Sequence, residues 1–156
     1  MKANYQIMLA EDHVPFRAEI KKIINEIQGV ELVGEVGEGH ELFGLLETSL
    51  PDLVLLDISM PNLRGMEATQ AIKFRYPEVK VILMVMDKEK EYLSHAIAAG
   101  ADGILLKQNS AMDLRSAIQK IRRGEQYFHG LLEEKRYGGA TGKINPFGHL
   151  TLLSFY

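Results

Sequence analysis

Five short runs of apolar residues constrain the fold of this chain more than any other feature of its sequence. They read QIMLA (6–10), ELVGEV (31–36), LVLLD (53–57), VILMVM (81–86) and GILL (103–106). Their apolar residues are nearly continuous and do not alternate with polar ones, which is typical of strands covered on both faces, as in a parallel sheet. The sequence therefore predicts five buried strands.

Helical patterns fill the spaces between these runs. In segment 15–29, apolar residues recur at the spacing of one helix face, and a proline and a glycine stand at its two ends. Further patterns cover 40–50, 65–77, 90–100 and 110–124, the last with Ser110 as a predicted N-cap. Strict alternation of strand and helix predicts an α/β doubly wound (βα)₅ sandwich of three layers. Five strands of this size fit the flavodoxin-like sheet order 2-1-3-4-5, which we take as the expected order.

Composition excludes several classes of protein. The hydrophobic fraction is 46% and the charged fraction 25%, as in a soluble globular domain. No apolar run reaches the roughly 18 residues of a membrane span, and the first residues lack the pattern of a signal peptide. The absence of cysteine excludes disulfides and thiolate metal sites and fits a cytoplasmic protein. A net charge of −3 gives no indication of direct nucleic-acid binding.

Charged residues stand at the ends of three predicted strands. Glu11 and Asp12 follow the first strand, Asp57 ends the third with Ser59 close behind, and Lys107 follows the fifth. Ligands of open α/β sheets bind beyond the carboxyl ends of the strands, where the strand order reverses. We therefore expect three carboxylates and one ammonium group to converge at that edge.

A carboxylate cluster of this kind costs free energy unless a cation neutralises it or its pKa values rise. Oxygen ligands suit Mg²⁺. Beside such a cation, a rigidly held Asp57 can attack phosphorus to form an aspartyl phosphate, and Lys107 can pair with a phosphoryl oxygen. Each residue alone is more commonly a turn residue or a surface charge, so it is their coincidence at three strand ends that favours a phosphoryl-transfer site.

The sequence around these positions resembles the receiver domain of two-component response regulators. The resemblance covers about residues 5–125 and includes the pair Glu11-Asp12, the stretch LVLLDISMPNLRGME around Asp57, and AIAAGADGILLK ending at Lys107. The stretches AAGADGILLK and AIQKIRRGEQYF are similar to those of LuxR/NarL-type transcription factors.

This resemblance implies a role for each site residue. Asp57 would accept a phosphoryl group from a sensor histidine kinase, so that the chain would be a signalling domain of a phosphorelay and not an enzyme. Asp12, Asp57 and the main-chain carbonyl of Ser59 would ligate Mg²⁺, and Glu11 would hold a metal-bound water. Lys107 would pair with the phosphate, and a homodimer would be a plausible assembly.

Two positions depart from the pattern of that family. Receivers normally carry Thr or Ser at the end of the fourth strand, where this chain has Val85, and often Tyr or Phe where it has Ile104. In the family these two residues form a coupled switch that responds to the phosphoryl group. Valine cannot donate a hydrogen bond, so we predict that Asp57 is still phosphorylated but that the conformational response is weakened or rewired.

The residues alone leave two other functions open. One is a pseudo-receiver that binds proteins without being phosphorylated. The other is a Mg²⁺-dependent phosphohydrolase with an aspartyl nucleophile, although Ser59 stands where many such enzymes place a second Asp as general acid and base.

The segment that follows the predicted receiver domain (1–124) has a different character. Residues 125–156 are expected to contain a short helix at 129–137 and a glycine-rich linker at 138–148. Residues 149–156, which follow the linker, are too few for the helix-turn-helix domain that would follow the receiver in LuxR/NarL-type proteins. We therefore expect no DNA-reading element in the chain as given.

Overall fold

The computed structural model describes residues 4–60, 63–86 and 90–128, together with two short segments at 143–144 and 150–151. The main sheet contains β1 (Tyr5–Ala10), β2 (Val30–Val36), β3 (Leu53–Asp57), β4 (Lys80–Val85) and β5 (Gly103–Leu106). The helices are α1 (Val14–Asn25), α2 (Gly39–Thr48), α3 (Gly65–Arg75), α4 (Lys90–Ala99) and α5 (Ser110–Arg122). In the ranges given, no helix has the length and apolar character needed to cross a membrane.

The sheet is parallel and its strand order is β2-β1-β3-β4-β5, which confirms the predicted fold. α1 and α5 cover one face, and α2, α3 and α4 cover the other. Within β3, Leu53 and Leu55 pack toward the first pair of helices, while Val54 and Leu56 pack toward the other three. Burial on both faces explains why the strand sequences are nearly continuous in apolar residues.

Hydrogen bonds at the first residues of α1 and α5 help to fix where these two helices begin. α1 begins after His13, whose Nδ1 accepts a hydrogen bond from the backbone N–H of Phe16 at 3.3 Å. The predicted N-cap of α5 is wrong, because Asn109 occupies that position and Ser110 is already helical. A short 3₁₀ turn precedes α5, and the Ser110 hydroxyl donates back to the carbonyl of Lys107 at 2.9 Å.

The packed core continues past the end of α5. The Tyr127 N–H donates to the Asp102 carbonyl at 3.0 Å, and the Ile104 N–H donates to the Tyr127 carbonyl at 2.9 Å. Tyr127 and Phe128 are both buried, one on each face of the sheet. The helix predicted at 129–137 lies outside the described residues. Beyond it, β6 (Lys143–Ile144) and β7 (Leu150–Thr151) pair antiparallel.

Candidate functional site

The carboxyl ends of β1, β3 and β5 bring together the charged residues that the sequence singles out. Among the described residues, Glu11, Asp12 and Asp57 form a group in which one carboxylate oxygen from each residue lies within 4.8 Å of the other two. Lys107 reaches two of these carboxylates from the first residue after β5. The predicted convergence of three carboxylates and one ammonium group is therefore present.

Asp57 is the last residue of β3, and its side chain is almost fully buried. Its Oδ1 accepts hydrogen bonds from the Ser59 backbone N–H at 3.0 Å and from the Ser59 hydroxyl at 2.9 Å. Its Oδ2 accepts from Lys107 Nζ at 3.2 Å. Three donors from two residues thus fix the orientation of this carboxylate.

Glu11 is fully buried, whereas its neighbour Asp12 is exposed to solvent. Glu11 Oε2 accepts from the His13 N–H and from Lys107 Nζ, each at 3.1 Å. Lys107 Nζ also lies 3.1 Å from Oε1, but this oxygen accepts no hydrogen bond from the residues described. One buried carboxylate oxygen of the site therefore has an ion-pair partner but no hydrogen bond from the described residues.

The pKa values of the two buried carboxyl groups are shifted in opposite directions. Burial, together with the contact and charge of Asp57, raises the pKa of Glu11 to about 7, although the His13 N–H and Lys107 act in the opposite direction. Burial would also raise the pKa of Asp57. The Ser59 N–H, Glu11, the Ser59 hydroxyl and Lys107 together outweigh burial and hold that pKa below its ordinary value. Asp57 is thus the carboxyl that stays ionised.

Lys107 is held in a largely buried position between the two carboxylates. Burial would lower the pKa of its ammonium group, but the hydrogen bond to Glu11 and the charges of Asp57 and Glu11 keep it above its ordinary value. Its Nζ also lies 4.8 Å from the centroid of the Phe16 ring. The sequence assigns Phe16 only to the buried face of α1, so this contact was not predicted.

Arg17 is a second residue near the site that the sequence did not indicate. Its Nη1 donates to the backbone carbonyl of Glu11 at 3.0 Å, and its Nε lies 3.5 Å from Glu35 Oε1. α1 is thereby tied to the loop that carries the acidic pair. An arginine in the first turns of an amphipathic helix is ordinarily a solvated charge, so no sequence signal distinguished it.

The donor set of the site suits a hard divalent cation. Three carboxylates share the site with one ammonium group, each residue of the acidic cluster offers an oxygen ligand, and one buried oxygen of Glu11 has no hydrogen bond from the described residues. Mg²⁺ takes one or two carboxylates together with water and phosphate oxygens. A cation there would neutralise the charge of Asp57, which adds to the effect of burial in raising the pKa of Glu11.

An open cleft of about 980 Å³ lies beside Asp57. The cleft lies between α1 and the start of α5, and its lining includes Asp12, Pro15, Phe16, Ser59, Met86 and Lys107. A ligand as large as a phosphoryl group with its donor can therefore approach the carboxylate from solvent.

Val85 and Ile104 lie on the opposite face of the sheet from this cleft. Val85 is the last residue of β4 and is fully buried, and Ile104 is 3% exposed. Both belong to the apolar cluster that also contains Leu93 of α4 and Leu106 of β5. The place where the sequence predicts a missing hydroxyl is thus a packed aliphatic core.

Comparison with known proteins gives a consistent result. The model of the response regulator receiver domain family matches residues 7–119. DegU of Brevibacillus brevis is 36% identical over 124 residues, which cover 80% of this chain and 52% of DegU. UvrY of Escherichia coli K12 is 34% identical over 140 residues, which cover 90% of this chain and 63% of UvrY. The RcsB response regulator of Salmonella typhimurium matches in structure with a TM-score of 0.81 and 26% identity, over 93% of this chain and 73% of that chain.

These relatives are LuxR/NarL-type response regulators, so the resemblance drawn from the sequence is confirmed. The chain spans only 52% of DegU and 63% of UvrY, and the part that it covers is their receiver part.

Proposed function

The chain belongs to the response regulator receiver domain family, and from this premise we propose that it accepts a phosphoryl group on Asp57 from a sensor histidine kinase. Proteins of this family act in phosphorelay signalling and are not classical enzymes. The observation that carries the proposal is the Asp57 carboxylate itself, which is ionised, fixed by Ser59 and 3.2 Å from Lys107.

The chemistry of the transfer follows from this arrangement. An Asp57 oxygen forms a bond to phosphorus while the bond between phosphorus and the donor nitrogen breaks. The low pKa of Asp57 keeps its carboxylate unprotonated and therefore nucleophilic at neutral pH. Lys107 supplies positive charge to the phosphoryl oxygens as they arrive next to Asp57.

Asp12, Asp57 and the main-chain carbonyl of Ser59 would hold Mg²⁺, with Glu11 binding one of its waters. When bound, the metal supplies positive charge to the transferring phosphoryl group. The acidic cluster and the buried Glu11 oxygen that accepts no hydrogen bond from the described residues support this assignment. Substituting Asp12→Asn should weaken Mg²⁺ binding in calorimetric titration without changing the fold, because Asp12 is exposed to solvent.

The response to phosphorylation is the step at which this protein departs from its family. Val85 and Ile104 have neither the hydroxyl nor the aromatic ring that responds to the phosphoryl group in the family. Both are buried among apolar side chains. Losing a hydrogen bond to a charged group costs about 1.5–3 kcal/mol, or roughly ten- to hundredfold in a conformational equilibrium. We therefore expect the conformational response to phosphorylation to be weakened or rewired.

Beryllofluoride, a stable mimic of the phosphoryl group, tests both parts of the proposal. With Mg²⁺ present, wild type should bind it at Asp57 but show little change in the backbone NMR signals of the loop after β4. Val85→Thr should show a larger change and a stronger tendency to dimerise. Val81→Thr is the matched control, because Val81 is equally buried on the same face of β4 but at its other end. A full response of the wild type would contradict the altered switch.

A further inference from the structure

The aromatic ring of Phe16 is a third partner of Lys107, besides the two carboxylates. The Nζ of Lys107 lies 4.8 Å from the ring centroid, within the distance at which a cation is attracted to the face of an aromatic ring. Phe16 is 9% exposed and the Lys107 side chain 11%. Water therefore competes little with this contact, and desolvated contacts of this type are the strongest.

The ring is placed independently of Lys107. The backbone N–H of Phe16 donates to His13 Nδ1, which fixes the first turn of α1. The side chain then packs in the cluster between the sheet and the helices α1 and α5, together with Ile20 and Leu114. Since core packing and a helix cap hold the ring, it stays in position when the other partners of Lys107 change.

The ring also differs chemically from those other partners. The carboxylates of Glu11 and Asp57 are the groups that attract Lys107, and both belong to the acidic cluster that suits a divalent cation. A carboxylate oxygen that binds a divalent cation interacts less strongly with the Lys107 ammonium group. The face of Phe16 is not a metal ligand, so this attraction to Lys107 persists when the carboxylates are engaged elsewhere.

We propose that Phe16 is a positioning residue, whose ring keeps the Lys107 ammonium group beside Asp57 and ready for a phosphoryl oxygen. The proposal rests on the role of Lys107 in the proposed function. It adds a residue on α1 whose effect is exerted through Lys107 and not through contact with the reacting atoms.

The contact can be measured in the metal-free protein by NMR. The ring current of Phe16 should shift the Lys107 Hε signals upfield, and Phe16→Leu should return them to the position of an ordinary lysine. Ile20→Val is the matched control, because Ile20 is buried one turn further along α1 and belongs to the same cluster. This variant loses core volume but should leave the Lys107 signals in place.

The functional effect is measured as beryllofluoride affinity in the presence of Mg²⁺. Phe16→Leu should weaken binding roughly two- to thirtyfold, the range expected for a lost cation–π contact. Ile20→Val should bind as wild type does. In a Lys107→Met background, Phe16→Leu should have no further effect, since a positioning residue acts only through the residue it positions. Replacing Phe16 by 3,4,5-trifluorophenylalanine keeps the shape of the ring, weakens its negative face and should give an intermediate affinity.

Two results would overturn the inference, and they are distinguishable. If folded Phe16→Leu or the trifluorophenylalanine protein binds beryllofluoride as tightly as wild type, Phe16 does not position Lys107, while the proposed function stands. If wild type itself does not bind beryllofluoride, the proposed function fails and the inference fails with it.

Discussion

Removing the ammonium group of Lys107 should destabilise the metal-free protein. The loss of stability should depend on pH, and added Mg²⁺ should reduce it. Lys107 faces Glu11 and Asp57, which are 0% and 1% exposed, so Lys107→Met leaves two buried carboxylates without a counter-charge. Breaking a buried ion pair from one side costs about 3–5 kcal/mol. We expect about 3 kcal/mol, because a cleft gives solvent access near Asp57 and because Glu11 can take up a proton.

The pH dependence has a definite sign. The pKa of Glu11 is about 7 in wild type, and losing the neighbouring ammonium group raises it further. A carboxyl whose pKa is higher in the folded protein than in the unfolded chain lowers stability when it ionises, so the penalty is largest at high pH. Urea unfolding of Lys107→Met should therefore show the full loss near pH 8 and a smaller loss near pH 5.5. Millimolar Mg²⁺ should restore much of it.

Lys73→Met provides the matched control for this experiment. Lys73 pairs with Asp102 at 3.0 Å in a partly buried position at the other end of the sheet. Its loss should lower stability by an amount that Mg²⁺ does not restore. The reasoning is refuted if metal-free Lys107→Met at pH 8 unfolds within about 0.5 kcal/mol of wild type, the usual range for surface substitutions. An equal response of both variants to Mg²⁺ would refute it as well.

Two further predictions concern stability. The pKa of Glu11 rises from 4.5 to about 7 on folding, so metal-free wild type should lose stability as pH rises through that window. Glu11→Gln should make the stability measured by urea unfolding less dependent on pH in this range. An unchanged dependence would mean that other groups cause it. A Cβ at Gly103 would lie 2.9 Å from the Tyr127 carbonyl oxygen, so Gly103→Ala should cost about 1–3 kcal/mol. Gly44→Ala, within α2 and with nothing within 4 Å, should instead gain about 0.5–1 kcal/mol in thermal unfolding, and a loss there would contradict this difference.

The sequence was sufficient to predict the fold and the convergence of the charged residues. Nearly continuous apolar runs identify strands buried on both faces, and strict alternation with helices limits the topology to very few arrangements. The strand order itself was an expectation from known folds of this size. Given that order, Glu11, Asp57 and Lys107 must meet, because all three stand at carboxyl ends of neighbouring or nearby strands. Their roles in phosphoryl transfer remain predictions.

The contacts that refine the site could not be read from the sequence. The Ser59 hydroxyl on Asp57 and the Arg17 guanidinium on the Glu11 carbonyl depend on side-chain rotamers and on how α1 lies over the sheet. The ring of Phe16 fits the apolar face of α1 whether or not Lys107 lies over it. Residue spacing determines which face of an element a side chain occupies, but not which atom it meets there.

Covalent modification of Asp57 tests the central claim most directly. Purified protein is incubated with Mg²⁺ and acetyl phosphate and then examined by intact-mass and peptide mass spectrometry. The account predicts the mass gain of one phosphoryl group, located on the peptide that contains Asp57, lost in Asp57→Asn and strongly reduced when Mg²⁺ is chelated. No modification of wild type under these conditions would contradict the account and would favour a receiver that binds its partners without phosphorylation.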